Sequence, residues 1–166
     1  MREIKPPESL DFDSALWSVF LAGSIEQGAA EMWQASVAAA LADLNIVVLN
    51  PRRNSWDANW PQEIGFAPFR EQVEWELAAQ EMADLIAFYF SPATRSPITL
   101  LELGLAARQS RAVVCCPADF WRRGNVEIVC SRYGIEQVAT LDDLIRAIRF
   151  YAQPNIRINC NSQNLT

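Results

Sequence analysis

The chain contains no histidine. That removes Ser-His-Asp and Cys-His catalysis, histidine-ligated metal centres and imidazole acid–base work together. Its one lysine, Lys5, sits in a polar leader with two prolines beside it. Neither a Schiff-base lysine nor a phosphate-loop lysine therefore has a credible candidate. All other cationic side chains are arginine, which suits planar, two-pronged recognition of phosphate or carboxylate. The four cysteines, Cys115, Cys116, Cys130 and Cys160, form no CxxC pair. Zinc binding and thioredoxin-like chemistry are not suggested, and the expectation is reduced thiols in a cytoplasmic protein. No apolar run reaches the length of a membrane span, and MREIKPPESLDFDS lacks the pattern of a signal peptide. No membrane association is expected. The formal charge of -6 argues against polymeric nucleic acid as a partner, while leaving room for a local basic pocket.

What is present fits one domain over residues 1–166, with a loose leader at 1–14 and a tail at 152–166. Half of the chain is hydrophobic, enough for a real core. WSVFLA (17–22), NIVVLN (45–50), LIAFYF (85–90) and RAVVCC (111–116) are short continuous apolar runs, as expected of strands buried on both faces. VEIVC (126–130) is a candidate for a fifth, short strand. Helical spacing predicts helices over 29–44, 69–82, 97–109 and 140–151, the last with Thr140 and Asp143 placed like a capping box. The motif NIRIN in the tail suits an edge strand or pairing between subunits. Strand and helix alternate throughout, which predicts an α/β fold with a mostly parallel sheet of about five strands covered on both faces.

In such a sheet ligands bind beyond the carboxyl ends of the strands. GSIEQG follows the first strand, NPRRNSW the second, SPATRSPIT the third and CPADFWRRGN the fourth. The unusual residues of the chain thus converge on one sheet edge. Gly23 and Ser24 let backbone approach a ligand, or form a plain turn. Arg52 and Arg53 with Trp56 suit an anionic group and a stacked base, or are a solvated pair beside a loop aromatic. Trp60 is expected to pack within that loop, and Asp84 to orient a strand start.

Within SPITLLELGLAA (96–107), Ser96 is placed as N-cap and Pro97 at the first helical position. Ile98, Leu101 and Leu105 share a face that is expected to be core. Thr99, Glu102 and Ala106 share another. A carboxylate in a helix this apolar is either half of an ion pair or a group held for chemistry. Glu76, on the preceding helix, faces the same edge if that helix runs back towards the third strand. Two carboxylates can divide roles, and with no histidine or catalytic lysine a carboxylate is the strongest nucleophile candidate. Exclusion points to glycosyl transfer, in which a carboxylate traps an oxocarbenium-like centre.

The segments FLAGSI, NPRRNSW, FREQVEWE, ADLIAFYF and SPITLLELG, in this order and spacing, resemble the nucleoside 2-deoxyribosyltransferase family, most of all its smaller transferase-like branch. The resemblance spans roughly residues 17–130 and implies a flavodoxin-like or Rossmann-like three-layer sandwich. It further implies cleavage of the N-glycosidic bond of a small-molecule nucleoside or nucleotide through a covalent glutamyl–sugar intermediate, without a cofactor. Glu102 matches the family's nucleophile, and Glu76 the acidic residue that orients sugar or base. Asn125 matches an asparagine lent by a neighbouring subunit, so a homo-oligomer is expected. At Ser96, transferases of the family usually carry aspartate; related deoxynucleotide N-hydrolases carry a serine that contacts the 5′-phosphate. With Arg52 or Arg53 this raises the alternative of a nucleoside 5′-monophosphate N-glycohydrolase. A non-catalytic nucleotide-binding module and a structural protein with Glu102 paired to arginine complete the alternatives.

Overall fold

The computed structural model describes residues 1–25, 32–109 and 111–154. Cys160, the NIRIN motif and the start of the helix expected over 29–44 lie outside them. Among the described residues the order is β1 (Arg2–Ile4), β2 (Ser18–Gly23), α1 (Trp33–Ala40), β3 (Val47–Leu49), α2 (Ala67–Met82) and β4 (Leu85–Tyr89). Then come α3 (Pro97–Ala106), extended by a 3-10 turn at Ala107–Gln109, β5 (Ala112–Cys115), α4 (Arg123–Tyr133), β6 (Glu136–Val138) and α5 (Leu141–Tyr151).

The strands form one six-stranded sheet in the order β1-β3-β2-β4-β5-β6, and every neighbouring pair is parallel. Without the edge strand β1 this is the flavodoxin-like order 2-1-3-4-5. The strands are apolar without alternation because both faces are covered. Successive residues point opposite ways, so Val19 and Leu21 enter one core while Phe20 and Ala22 enter the other. The same division separates Leu85 and Ala87 from Ile86 and Phe88. Trp33 and Val37 of α1 and Leu144 and Ile148 of α5 cover the first core. Trp75 and Ala79 of α2, Leu103 and Ala106 of α3, and Val126 and Cys130 of α4 cover the second. Each large aliphatic or aromatic side chain so buried contributes roughly 1.5–3 kcal/mol. The three-layer α/β sandwich is thus as expected.

Asp84 orients a strand start, as anticipated: its Oδ2 accepts from the Ser18 backbone N–H at 2.8 Å and the Ser18 hydroxyl at 2.9 Å, joining the beginnings of β2 and β4. Thr140 caps α5, accepting from the Asp143 N–H at 3.1 Å.

Two expectations need correction. Residues 2–4, placed in a loose leader, form β1; Ile4 is fully buried, and its carbonyl accepts from the Asn50 N–H at 3.0 Å. VEIVC is not a strand but the middle of α4. Parallel neighbours β5 and β6 need a crossover between them, and this segment supplies it. Val126 and Cys130, four apart, are its buried residues, and Gly134 ends it in the left-handed conformation. The local β preference of Val and Ile yields to that packing. No helix among the described residues is long and apolar enough to cross a membrane.

Candidate functional site

The carboxyl ends of β2 and β4 meet at Gly23 and Tyr89, which are paired in register. A Cβ on Gly23 would lie 2.6 Å from the Tyr89 carbonyl oxygen and 2.6 Å from the Trp33 ring. Only glycine fits there, so the close approach is of protein against protein. The Trp33 indole donates to the Ser24 carbonyl at 3.1 Å and holds the next residue in place.

Beyond Gly23 lies a cluster of three buried hydroxyls from two short stretches, the end of β2 and the loop after β4. Ser24 Oγ shares hydrogen bonds with Thr94 Oγ1, at 2.7 Å, and with Ser96 Oγ; Thr94 and Ser96 are also 2.7 Å apart. The Thr94 hydroxyl is positioned by the Ser91 carbonyl at 3.0 Å. This corrects the expectation that Ser96 caps α3. Its carbonyl accepts the first helical bond, from Leu100 N–H at 3.0 Å, but its side chain makes no cap bond to the helix. The backbone at Ser96 is left-handed, with φ 48°. A non-glycine residue held there costs of order 1–3 kcal/mol, which surrounding contacts must offset. The turn directs the hydroxyl to Ser24 and Thr94.

A turn and a half into α3, Glu102 is buried, 9% exposed. Its Oε1 accepts from Gln80 Nε2 of α2 at 2.7 Å. No guanidinium is paired with it among the described residues, so the ion-pair reading falls. Burial is the main force raising its carboxyl to about 8; the nearby Glu76 charge adds to this, and the Gln80 amide opposes it. Burial likewise raises Glu76 to about 7, against the Gln72 amide, which donates to Glu76 Oε1 at 2.8 Å. Helix α2 does run back towards the start of β4, as anticipated, with Glu76 lining the same cavity as Glu102.

Both open onto a cavity of about 1130 Å³, whose lining also includes Gly23, Ser24, Arg52, Arg53, Trp56 and Ser96. Small-molecule pockets are usually ~300–1,000 Å³, so there is room for a ligand of nucleoside or nucleotide size. Arg53 reaches Glu71 at 3.0 Å and lies over the Trp60 ring, 5.3 Å from its centre. Trp60 packs between Trp56 and Phe66, the loop-packing role expected of it. Asn125 is the exception: it lies exposed in the first turn of α4 and does not line this cavity. Among the described residues no cluster of three or more His, Cys, Asp or Glu side chains is placed to hold a metal ion.

The family model described as nucleoside 2-deoxyribosyltransferase like matches residues 16–120. The chain belongs to this family. The matched span of this nucleoside 2-deoxyribosyltransferase-like protein runs from the start of β2 past the end of β5, and so contains the hydroxyl cluster and both carboxylates. No curated protein matches the chain.

One further expectation is overturned. Ile98, Leu101 and Leu105 are not core but 61%, 61% and 55% exposed, lining the mouth of the cavity. Thr99, Glu102, Leu103 and Ala106 turn inwards instead. Thr99 and Ala106 are small enough for α3 to lie close to the strands, and the same rotation points Glu102 at the strand ends. Three partners in the site, Gln72, Gln80 and Thr94, are not among the residues expected from the sequence. The glutamines had a readable signal, since each stands four residues from Glu76 and so on its helical face. Thr94 had none, because only the loop's fold joins it to Ser24.

Proposed function

We propose that this protein cleaves the N-glycosidic bond of a (deoxy)nucleoside or nucleotide through a covalent glutamyl–sugar intermediate, with Glu102 as nucleophile. The observation that carries the reading is a buried carboxylate, free of any guanidinium partner among the described residues, facing a ligand-sized cavity beside a second carboxylate. A Glu102 oxygen bonds to the anomeric carbon as the carbon–nitrogen bond breaks. The base leaves with the bonding pair and takes up a proton. A second base or water then attacks the anomeric carbon and displaces Glu102, giving a new nucleoside in the first case and the free sugar in the second. Glu76 anchors a sugar hydroxyl, and Gly23, Ser24, Arg52, Arg53 and Trp56 shape the pocket. No cofactor is invoked.

A second reading, hydrolysis of a nucleoside 5′-monophosphate, is favoured by a specific feature. Ser96 stands where family transferases usually carry aspartate, its hydroxyl is joined to those of Ser24 and Thr94, and Ser24 and Ser96 line the same cavity as Arg52 and Arg53. Hydroxyls and arginines together suit a phosphate. Asn125, remote from its own chain's cavity, is assigned to the cavity of a second copy, and the exposed Ile98, Leu101 and Leu105 face supports such an assembly.

The test is to incubate each deoxynucleoside and its monophosphate with and without a second free base, and follow products by mass spectrometry. Base exchange identifies a transferase; free sugar or sugar phosphate identifies a hydrolase. Acid-quenched intact protein should carry one added sugar mass, lost in Glu102→Ala. Undiminished base release by Glu102→Ala refutes the assignment, and saturable binding with no product marks a non-catalytic module.

A further inference from the structure

Gln72, Glu76 and Gln80 stand at one-turn intervals on α2, beside the Trp75 and Ala79 stripe that packs on the sheet. Both glutamines are buried, 4% and 6% exposed. A buried amide is costly unless hydrogen-bonded. Each donates to a different carboxylate. Gln72 Nε2 donates to Glu76 Oε1 at 2.8 Å and to the Pro51 carbonyl at 2.8 Å. A carbonyl can only accept, so Pro51 fixes which end of the Gln72 amide faces Glu76. Gln80 instead reaches across from α2 to α3, with Nε2 2.7 Å from Glu102 Oε1.

Among the described residues the charged groups around the cavity, Glu102 aside, are Lys5, Arg52, Arg53, Arg70, Glu74 and Glu76. Of these, Glu76 is the one whose charge bears on Glu102, and it opposes ionisation. Burial opposes it as well. A carboxylate that must attack carbon therefore needs a donor, and Gln80 is the donor it meets.

We propose that Gln80 is a positioning residue, its side-chain N–H holding Oε1 of Glu102 so that Oε2 is the oxygen offered to the sugar, and stabilising the carboxylate as an anion. This rests on the reading of Glu102 as nucleophile. Removing the donor leaves burial and Glu76 unopposed, so the proton is held more tightly.

The first measurement needs no substrate. The Glu102 carboxyl is titrated by carbon-13 NMR in the wild-type protein, in Gln80→Met and in Gln80→Leu, with its signal assigned by Glu102→Gln. Both Gln80 substitutions keep a side chain of similar size, add no titratable group and remove the amide donor. The Glu102 midpoint should move up by about one pH unit or more in either variant. In parallel, base release by Gln80→Met should fall about tenfold or more near neutral pH, with KM little changed, and recover at alkaline pH. An unmoved midpoint in a folded variant, or an activity loss equal at every pH, overturns the proposal. So does failure of both variants to fold, which would make Gln80 a structural residue. If Glu102→Ala keeps its activity while the Gln80 titration shifts as expected, the nucleophile assignment fails and the Gln80–Glu102 coupling stands.

Discussion

Gly23 and Tyr89 are so close that the space for a Cβ on the first is taken by the carbonyl oxygen of the second, 2.6 Å away. The contact sits at the centre of the sheet, where β2 and β4 end and the cavity begins. Gly23→Ala must push the two strands apart or displace Trp33. The expected cost is about 1–3 kcal/mol, as for other overpacked sites. Thermal or urea denaturation measures it. Binding at the cavity should weaken as well, because Ser24 follows directly. An unchanged melting temperature would show that the strands are looser than this contact requires.

Stability should fall as pH rises, the reverse of the usual behaviour of carboxylates. Glu102 has its pKa raised from 4.5 to about 8, and Glu76 from 4.5 to about 7. The folded protein holds these protons more tightly than the unfolded chain. The stability these two groups contribute is therefore fully present below about 4.5, declines from there to about 8, and is gone above it. A pKa difference of one between the folded and unfolded chain is worth ~1.4 kcal/mol, so the effect is a few kcal/mol for each group. Glu102→Gln, whose amide oxygen still accepts from Gln80, should match the wild type near pH 5 and exceed its melting temperature near pH 9. A variant less stable at every pH would indicate a partner cation after all.

Activity should run the other way. On the proposal that Glu102 is the nucleophile, attack requires its ionised form, so kcat/KM should climb from about pH 6 and level off above about 8. Rate measurements across that range decide it. A profile flat from mildly acidic to alkaline pH would remove Glu102 from the nucleophile's role.

Thr94→Val keeps the side chain's shape and deletes its hydroxyl. Ser24, Ser96 and the Ser91 carbonyl each lose a partner. Leaving buried polar groups unsatisfied costs ~1–3 kcal/mol, to be read from denaturation. If the cluster receives a phosphate, affinity for a nucleoside monophosphate should drop more than affinity for the free nucleoside, by calorimetry. Equal losses would assign the cluster to structure alone.

The face formed by Ile98, Leu101 and Leu105 calls for cover. Light scattering should find the wild-type chain as an oligomer. Leu101→Arg should weaken that association by about tenfold or more if this face is central to it. Activity should decline with it when Asn125 serves a neighbouring cavity. A monomeric wild type with full activity would exclude the shared site.

Much of the fold can be read directly from residue order. Phe20, Phe88 and Val114 lie in apolar runs without polar alternation, and such runs belong in sheets covered on both faces. VEIVC misleads because Val and Ile favour a strand locally, whereas the crossover between β5 and β6 needs a helix. The burial of β1 is hidden because Arg2–Ile4 has only 3 residues, too few to carry a period. In the site, Gly23, Ser24 and both glutamates are visible from their placement after strands or on helix faces. Thr94 is not, since its partner Ser24 is 70 residues away and no local pattern links them.

By itself the sequence determined the layered α/β architecture and, through its lack of histidine and catalytic lysine, left a carboxylate as the candidate for chemistry. Periodicity says which residues share a helix face, because that follows from the chain's own geometry. It does not say which face meets the sheet, because that depends on neighbours distant in sequence. Tertiary structure alone decided that Glu102 turns inwards with Thr99 and Ala106 while Ile98, Leu101 and Leu105 face out. It alone supplied an amide rather than a guanidinium as the partner of Glu102, since α2 and α3 cover the same face of the sheet and Gln80 reaches across between them.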